Sequence, residues 1–224
     1  MTMRRGFWSL IAALMVASTA CQCALAQTAT ADKWEKSIAA FESRDKVDPP
    51  PKGALLFVGS SSIRGWDLGE SFPDRNTINR GFGGSEIADS IRYADRIIIP
   101  YQPRVIVVYA GDNDIAHGKD VKTVFADYQS LTRTIHASLP KARIVFVAIK
   151  PSIKRWELVE KMRRANGMIR EATAKDARLE FVDVDTPMIG DDGQPRKDLF
   201  KADGLHLNKQ GYQLWSKLVR PHLK

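Results

Sequence analysis

Three consecutive serines, Ser60, Ser61 and Ser62, follow an apolar run at residues 55–58 and a single glycine. An apolar run of this length is typical of a strand buried on both faces of a parallel sheet, and the glycine and serines predict a sharp turn into a helix. Such a turn can present a hydroxyl as a nucleophile, although glycine and serine are also ordinary turn and N-cap residues. The chemistry of this turn depends on the groups that other segments bring to it.

Residues that can complete a serine nucleophile follow other predicted strands. His206 and Asp203 are three positions apart on one loop, and they have the types required of a general base and of the acid that orients it. The backbone N–H groups of Ser61 and Gly84 and the side-chain amide of Asn113 can donate to the oxyanion of a tetrahedral intermediate. Each residue alone has a plain explanation as a turn former. Together they predict acyl transfer with Ser61 as the nucleophile.

The elements that position these residues can be predicted from the spacing of apolar side chains. Strands are predicted at residues 55–58, 77–79, 105–110, 144–149 and 179–184. Helices are predicted at residues 33–44, 85–98, 124–139, 158–172 and 212–219. Strands that alternate with helices predict an α/β fold, a three-layer α/β/α sandwich on a five-stranded parallel sheet, and the strand order 2-1-3-4-5 is one of the two common doubly wound orders.

In this order strand one lies between strands two and three, so Ser61 lies between the loops that carry Gly84 and Asn113. Strand five, however, stands three spacings from strand one, roughly 14 Å at ~4.8 Å per spacing. His206 cannot reach Ser61 from the end of that strand. We expect residues 185–202 to carry the histidine back, since a long loop in a compact domain is usually functional or disordered.

Four sequence blocks, GSSSIRGW, NRGFGG, GDND and DGLH, resemble those of the SGNH hydrolases, also called the GDSL lipase and esterase family. The resemblance runs from about residue 55 to the end of the chain. It implies that Ser61, Asp203 and His206 form a catalytic triad and that Gly84 and Asn113 are oxyanion donors. It also implies the flavodoxin-like 2-1-3-4-5 sheet and catalysis with no metal and no cofactor.

One position departs from the family pattern, because the usual Gly-Asp-Ser reads Gly59-Ser60-Ser61 here. A hydroxyl can still hydrogen-bond the turn, but it cannot carry the charge of a carboxylate. This substitution leaves open how firmly the turn is held, and it leaves Ser60 and Ser62 as alternative nucleophiles.

Three other residues have two readings each. His117 could line the cleft or lie on the surface, and Arg80 and Phe82 could contact substrate or pack in the domain. A metal site at Asp203 and His206 is disfavoured, because no second histidine stands at ligand spacing.

The amino terminus has the pattern of a secretory signal peptide. Arg4 and Arg5 precede an apolar run at residues 7–17, and Ala-Leu-Ala at residues 24–26 predicts cleavage after Ala26. A retained anchor is the alternative, although a membrane span needs ~20 apolar residues. We therefore expect a signal peptide at residues 1–26 and export to the periplasm or the medium.

Both cysteines, Cys21 and Cys23, lie in the predicted signal peptide. Cys21 suggests a lipoprotein alternative, but the residues before it lack the expected leucine. Cleavage would remove both thiols, so no disulfide is expected in the mature chain. The predicted division is a signal peptide at 1–26, an N-terminal helix with a Pro-rich connection at 27–52, and an SGNH hydrolase domain at 53–224.

The charge balance is mildly basic. Arg4 and Arg5 are the only charged residues in the first 26, so cleavage lowers the formal net charge from +8 to +6. The remaining basic residues are scattered, with no basic stripe interleaved with aromatic side chains, and we expect no nucleic-acid partner and no stable membrane insertion.

The sequence predicts an exported serine esterase that acts through an acyl-enzyme. The expected substrate is a small-acyl ester, such as an O-acetyl sugar, or a lipid or lysophospholipid ester. The alternative is a catalytically silent module that binds glycan or lipid at the cell envelope.

Overall fold

The computed structural model describes residues 32–224, which contain a five-stranded parallel sheet in the order β2-β1-β3-β4-β5. The strands are β1 (Leu55–Gly59), β2 (Thr77–Gly81), β3 (Val105–Tyr109), β4 (Arg143–Val147) and β5 (Leu179–Val182). Every neighbouring pair is parallel. The predicted fold class and strand order are confirmed.

Helices cover both faces of the sheet. They are α1 (Glu35–Val47), α2 (Ser61–Arg64), α3 (Leu68–Ser71), α4 (Ile87–Arg92), α5 (Ala94–Ile97), α6 (Asp112–Ala116), α7 (Val121–Ser138), α8 (Val159–Thr173) and α9 (Lys209–Val219). Alternate side chains of a strand point to opposite faces. Phe57 of β1 contacts Trp66 and Phe72 on the face that α9 also covers, whereas Phe146 of β4 contacts Tyr128 of α7 on the other face.

An aromatic cluster fixes the first of these faces next to the serine turn. The Trp66 ring lies within 6 Å of four others, with centroid distances of 5.4 Å to Phe57, 5.8 Å to Phe72, 5.8 Å to Tyr212 and 5.6 Å to Trp215. Large buried aromatic side chains contribute much of the apolar area in a core. The cluster therefore ties α9, which follows the histidine loop, to the segment that follows Ser61.

The first three strands end at one level. Gly59 of β1 is the register partner of Gly81 on one side and of Tyr109 on the other. The chain segments that leave these strands therefore start at the same edge of the sheet, where ligands of such folds bind.

One predicted helix is divided in the structure. Residues 85–98 were expected to form a single helix, but α4 and α5 are separated at Tyr93, whose φ and ψ are −102° and 8°. The Tyr93 ring is buried and lies edge-on to Phe82, with centroids 6.1 Å apart. The apolar spacing was compatible with one helix, but it could not show that this ring turns into the core.

Helix α1 is joined to the domain through Arg80. This arginine is buried, donates to both carboxylate oxygens of Asp45 at 2.6 and 2.7 Å, and lies between the rings of Phe41 and Tyr101. Phe82 is also buried. Of the two readings for Arg80 and Phe82, the structure shows packing.

The predicted signal peptide, residues 1–26, and its two cysteines lie outside the described residues. Residues Lys36–Lys224 form one compact unit. Within residues 32–224, none of the helices combines the length and the apolar composition needed to cross a bilayer.

Candidate active site

The serine turn begins at Gly59, whose φ of +137° is outside the range that other residues readily adopt. The next residue, Ser60, donates its backbone N–H to the Tyr109 carbonyl at 3.0 Å, and α2 starts at Ser61. As the first residue of a helix, Ser61 has a backbone N–H without a partner inside that helix. The turn thus directs both the hydroxyl and the N–H of Ser61 to the edge of the sheet.

The side chain of Asn79 in β2 holds this turn through hydrogen bonds. Its Nδ2 donates to the carbonyls of Ile63 at 2.7 Å and Trp66 at 3.2 Å, and its Oδ1 accepts from the N–H of Gly81 at 2.9 Å. The hydroxyl of Ser60 is buried and, within residues 32–224, makes no hydrogen bond. The Ser60 side chain therefore does not hold the turn, whereas the Asn79 side chain does.

Ser61, His206 and Asp203 form a continuous hydrogen-bonded series. Ser61 Oγ lies 3.0 Å from His206 Nε2, and His206 Nδ1 lies 2.6 Å from Asp203 Oδ2. Both distances are within hydrogen-bonding range, and the two ring nitrogens of one histidine serve the two partners. The structure brings together all three residues of the predicted triad.

Asp203 is held as a carboxylate although its side chain is 43% exposed. The hydrogen bond with His206 keeps the pKa of Asp203 well below its usual range, and the backbone N–H groups of His206 and Leu205, each at 2.9 Å, lower it further. A carboxylate with three such donors strongly favours its charged form. It is therefore suited to orient the imidazole and to stabilise the imidazolium.

The connection from β5 carries His206 back over three strand spacings to the end of β1, as expected. Isolated bridges join Ile189 to Pro195 and Phe200 to Leu207, so the loop is a folded structure in its own right. The carbonyl of Gly204 accepts from the N–H of Lys154 at 3.0 Å, which fixes the Asp203 turn to the segment after β4.

The loop after β2 lies against the residues after β3. Gly84 has a φ of +78°, and the carbonyl of the next residue, Ser85, accepts from Asn113 Nδ2 at 2.9 Å. Gly83 lies under the guanidinium of Arg64, where a Cβ atom would come within 2.5 Å of Arg64 Nη1. The two predicted oxyanion donors, Gly84 and Asn113, are therefore on segments joined directly to each other.

Ion pairs reinforce this junction. Asp114 is buried, accepts from the N–H of Ile87 at 3.3 Å and lies 3.0 Å from Lys119 Nζ, while Glu86 contacts Lys119 at 2.9 Å and His117 at 2.7 Å. Burial raises the pKa of Asp114 to about 6, against the opposing effect of Lys119. His117 is half exposed and hydrogen-bonded to Glu86, on the segment that precedes α4.

A polar group that the sequence analysis did not single out follows β4. Arg155 Nη1 donates to Asp112 Oδ2 at 3.0 Å, and Arg155 Nη2 donates to Asn113 Oδ1 at 3.0 Å. Lys150 is almost completely buried and lies 3.5 Å from Asp112 and 3.3 Å from the Tyr109 hydroxyl. Burial lowers the pKa of Lys150, an effect that Asp112 partly offsets. The rule that ligands bind beyond strand ends, applied also to strand four, would have pointed to this segment.

Among residues 32–224, no group of three or more His, Cys, Asp or Glu side chains is arranged to hold a metal ion. The polar atoms at this edge of the sheet are a hydroxyl, an imidazole, a carboxylate and several N–H donors. This set can perform nucleophilic acyl transfer.

Comparison with known proteins agrees with this geometry. Residues 54–214 match the model of the GDSL-like lipase/acylhydrolase family. The chain belongs to this family. It is therefore a GDSL-type esterase or acylhydrolase, as the four sequence blocks predicted.

Among GDSL relatives, the platelet-activating factor acetylhydrolase IB subunit alpha1 of Bos taurus is 28% identical over 177 residues, covering 75% of this chain and 73% of the bovine protein. A solved structure from Streptococcus pneumonia, named for platelet activating factor, has a TM-score of 0.75 and 24% identity and covers 84% of this chain and 92% of its own. A GDSL-like lipase from Bacteroides thetaiotaomicron has a TM-score of 0.70 and 20% identity, with 83% and 96% covered. The structural matches show the fold.

Proposed function

We propose that this GDSL-family acylhydrolase cleaves short-acyl carboxylic esters through an acyl-enzyme on Ser61. The observation that carries the proposal is the series from Ser61 Oγ to His206 Nε2, at 3.0 Å, and from His206 Nδ1 to Asp203 Oδ2, at 2.6 Å. A nucleophile, a base and an orienting acid within these distances are the requirements of serine acyl transfer.

The reaction then has two halves. Ser61 Oγ attacks the ester carbonyl carbon while His206 Nε2 takes the hydroxyl proton, and the alcohol leaves with that proton as the acyl-enzyme forms. Water attacks the acyl-enzyme next, gives a proton to His206, and releases the acid as Ser61 recovers its proton. The N–H groups of Ser61 and Gly84 and the amide of Asn113 would stabilise the oxyanion in both halves.

The loop that delivers the histidine supports a short acyl group. In residues 190–202 of this loop the two large apolar residues, Leu199 and Phe200, are buried, so the exposed part of that stretch is polar. An open cavity of about 500 Å³ beside Asp203 is lined by Lys154, Lys197 and Lys201 and also by the apolar side chains of Ile153 and Phe200. The lysines interrupt the apolar lining, whereas a long acyl chain would need a continuous apolar groove. The bovine relative is named an acetylhydrolase, which supports an acetyl or similarly short group on a polar alcohol, such as a sugar or a lipid headgroup.

Labelling with a fluorophosphonate tests the nucleophile. The native protein should be labelled at Ser61 and should hydrolyse 4-nitrophenyl acetate, and Ser61→Ala should abolish both reactions with the melting temperature unchanged. Ser60→Ala is the matched control, because the Ser60 hydroxyl makes no hydrogen bond within the described chain. If the folded native protein is not labelled, the catalytically silent binding module becomes the better explanation.

A substrate panel tests the acyl preference. Acetyl esters of sugars, medium-chain esters, thioesters and lysophospholipids should be compared by kcat/KM. The acetyl esters should be the best substrates, and a preference for medium chains would contradict the short-acyl proposal.

We also propose that residues 1–26 direct export and are removed, leaving the domain at 53–224 with its N-terminal helix and connection. The support is the basic, apolar and small-residue pattern of the sequence. N-terminal sequencing of the protein from the periplasm or the medium should begin at Gln27. A protein that retains Met1, or that carries lipid at Cys21, would contradict cleavage at this site.

A further inference from the structure

Arg155 connects the segment after β4 to Asn113, the predicted oxyanion donor after β3. It lies inside the 3₁₀ segment Ile153–Leu158 at a kink with φ and ψ of −125° and 28°. At this kink the Arg155 side chain is only 16% exposed. One guanidinium nitrogen donates to Asp112 and another donates to Asn113, both at 3.0 Å.

The two contacts of the Asn113 side chain determine which way its amide faces. A guanidinium has only donors, so the atom 3.0 Å from Arg155 Nη2 must be the carbonyl oxygen of the amide. A backbone carbonyl only accepts, so the atom 2.9 Å from the Ser85 oxygen must be Nδ2. One of the two Nδ2 hydrogens is used on Ser85, and the other makes no hydrogen bond within residues 32–224.

Arg155 is in turn held by a buried anion. Asp112 is 4% exposed and lies between Arg155 and Nζ of Lys150, at 3.0 and 3.5 Å. Buried charges are tolerated when they are paired, and such pairs fix the geometry of the groups around them. The arrangement behind the site is therefore a chain of contacts from Lys150 through Asp112 and Arg155 to Asn113.

We propose that Arg155 is a positioning residue that holds the Asn113 amide with its free N–H toward the developing oxyanion. The inference rests on the proposed acyl-enzyme mechanism. Because the oxyanion exists only in the transition state and the tetrahedral intermediate, loss of Arg155 should lower kcat and leave KM nearly unchanged.

A double-mutant cycle on 4-nitrophenyl acetate tests this role. Removing one oxyanion donor typically costs about 10²- to 10³-fold in kcat, so releasing its orientation with Arg155→Met should cost about 10- to 100-fold. In an Asn113→Ala background, Arg155→Met should cost less than about threefold, since the group it positions is gone. A residue that only stabilises the fold would lower activity equally in both backgrounds.

The control is Arg178→Met, at the residue before β5. Arg178 also pairs with a carboxylate, Asp176, at 2.6 Å, but it lies at the opposite end of the strands from Asn113, and its loss should leave kcat unchanged. If Arg155→Met does not fold, the cycle is run with Arg155→Lys, which keeps the positive charge beside Asp112 and loses the fork that spans both acceptors. This variant should show about a tenfold loss in kcat that disappears in the Asn113→Ala background.

Two results would overturn the proposal. One is a folded Arg155 variant with kcat within about threefold of native, and the other is a loss of undiminished size in the Asn113→Ala background. Both require a native enzyme that hydrolyses the ester. An unlabelled, inactive native protein would instead contradict the proposed function itself.

Discussion

The backbone of Gly59 passes so close to Tyr109 that a Cβ atom on Gly59 would stand 1.9 Å from the Tyr109 carbonyl oxygen. That oxygen is the acceptor for the N–H of Ser60, so the same contact that excludes a side chain also forms the turn. Real Cβ atoms do not approach backbone this closely, and one or both strands would have to move.

Gly59→Ala should therefore remove activity and destabilise the fold by at least about 3 kcal/mol, since it adds both a clash and a φ of +137° that alanine disfavours. Chemical denaturation and turnover of 4-nitrophenyl acetate measure the two effects. The control is Gly167→Ala in α8, where a Cβ would meet nothing within 4 Å and stability should rise by about 0.5–1 kcal/mol. A soluble, active Gly59→Ala protein would show that the turn tolerates a side chain.

Asp203→Asn should lower kcat/KM by about 10⁴-fold, because the amide cannot stabilise the imidazolium and favours the wrong tautomer. The lowered pKa keeps native Asp203 ionised above about pH 4. Initial rates on 4-nitrophenyl acetate at about pH 7 measure the loss, and a variant within about tenfold of native would contradict this role.

The lowered pKa of Asp203 also determines how its contribution to stability changes with pH. A carboxyl whose pKa is lowered by folding stabilises the protein above its unfolded pKa, ~3.9, and loses that contribution as the pH falls through the folded pKa. The difference in melting temperature between the native protein and Asp203→Asn should be constant above about pH 5 and should shrink below pH ~4. Thermal scans at several pH values measure it, and a difference that grows on acidification would contradict the cause assigned here.

Ser60→Ala should leave both the fold and kcat/KM nearly unchanged. The Ser60 hydroxyl is buried and makes no hydrogen bond within residues 32–224, so removing it should change stability by less than about 1 kcal/mol and in the favourable direction. Asn79→Ala, which frees the carbonyls of Ile63 and Trp66, should cost more than about 2 kcal/mol. If the two effects were reversed, Ser60 and not Asn79 would hold the turn.

Arg80→Met should destabilise the protein without changing turnover. It leaves Asp45, whose side chain is 20% exposed, without its guanidinium partner, and breaking such a pair costs about 3 kcal/mol, or about 6–12 °C in melting temperature. Lys209→Met breaks an exposed pair with Glu70 and should destabilise the protein far less, because an exposed ion pair contributes little to stability. A change in KM for Arg80→Met would indicate instead that this arginine contacts substrate.

The sheet was predictable because its strands are short, continuously apolar and separated by helices. The runs at residues 55–58 and 105–110 are apolar until the strand ends. A continuous apolar run of this kind is typical of a strand that is covered on both faces. The family resemblance and the strand order are confirmed. The catalytic roles stay a prediction that the geometry supports.

Contacts between distant segments were not predictable from local patterns. Nothing in the spacing around Tyr93 shows that its ring turns inward and divides a helix. Asn79 opens the block NRGFGG but no role was predicted for it there, and Arg155 belongs to none of the four blocks. Each acts through a partner more than 10 residues away. Side-chain hydrogen bonds of this kind depend on the packed fold, whereas apolar periodicity records only which face of an element is buried.

Two of the three residues in the hydrogen-bonded series lie on one turn, three positions apart, whereas Ser61 and His206 are separated by 145 positions. The acid and the base can therefore meet as soon as their own loop forms, with little loss of chain entropy. Only the distance between Ser61 Oγ and His206 Nε2 then depends on the complete fold. Recovery of esterase activity during refolding would thus follow the docking of this loop and not the earlier assembly of the sheet.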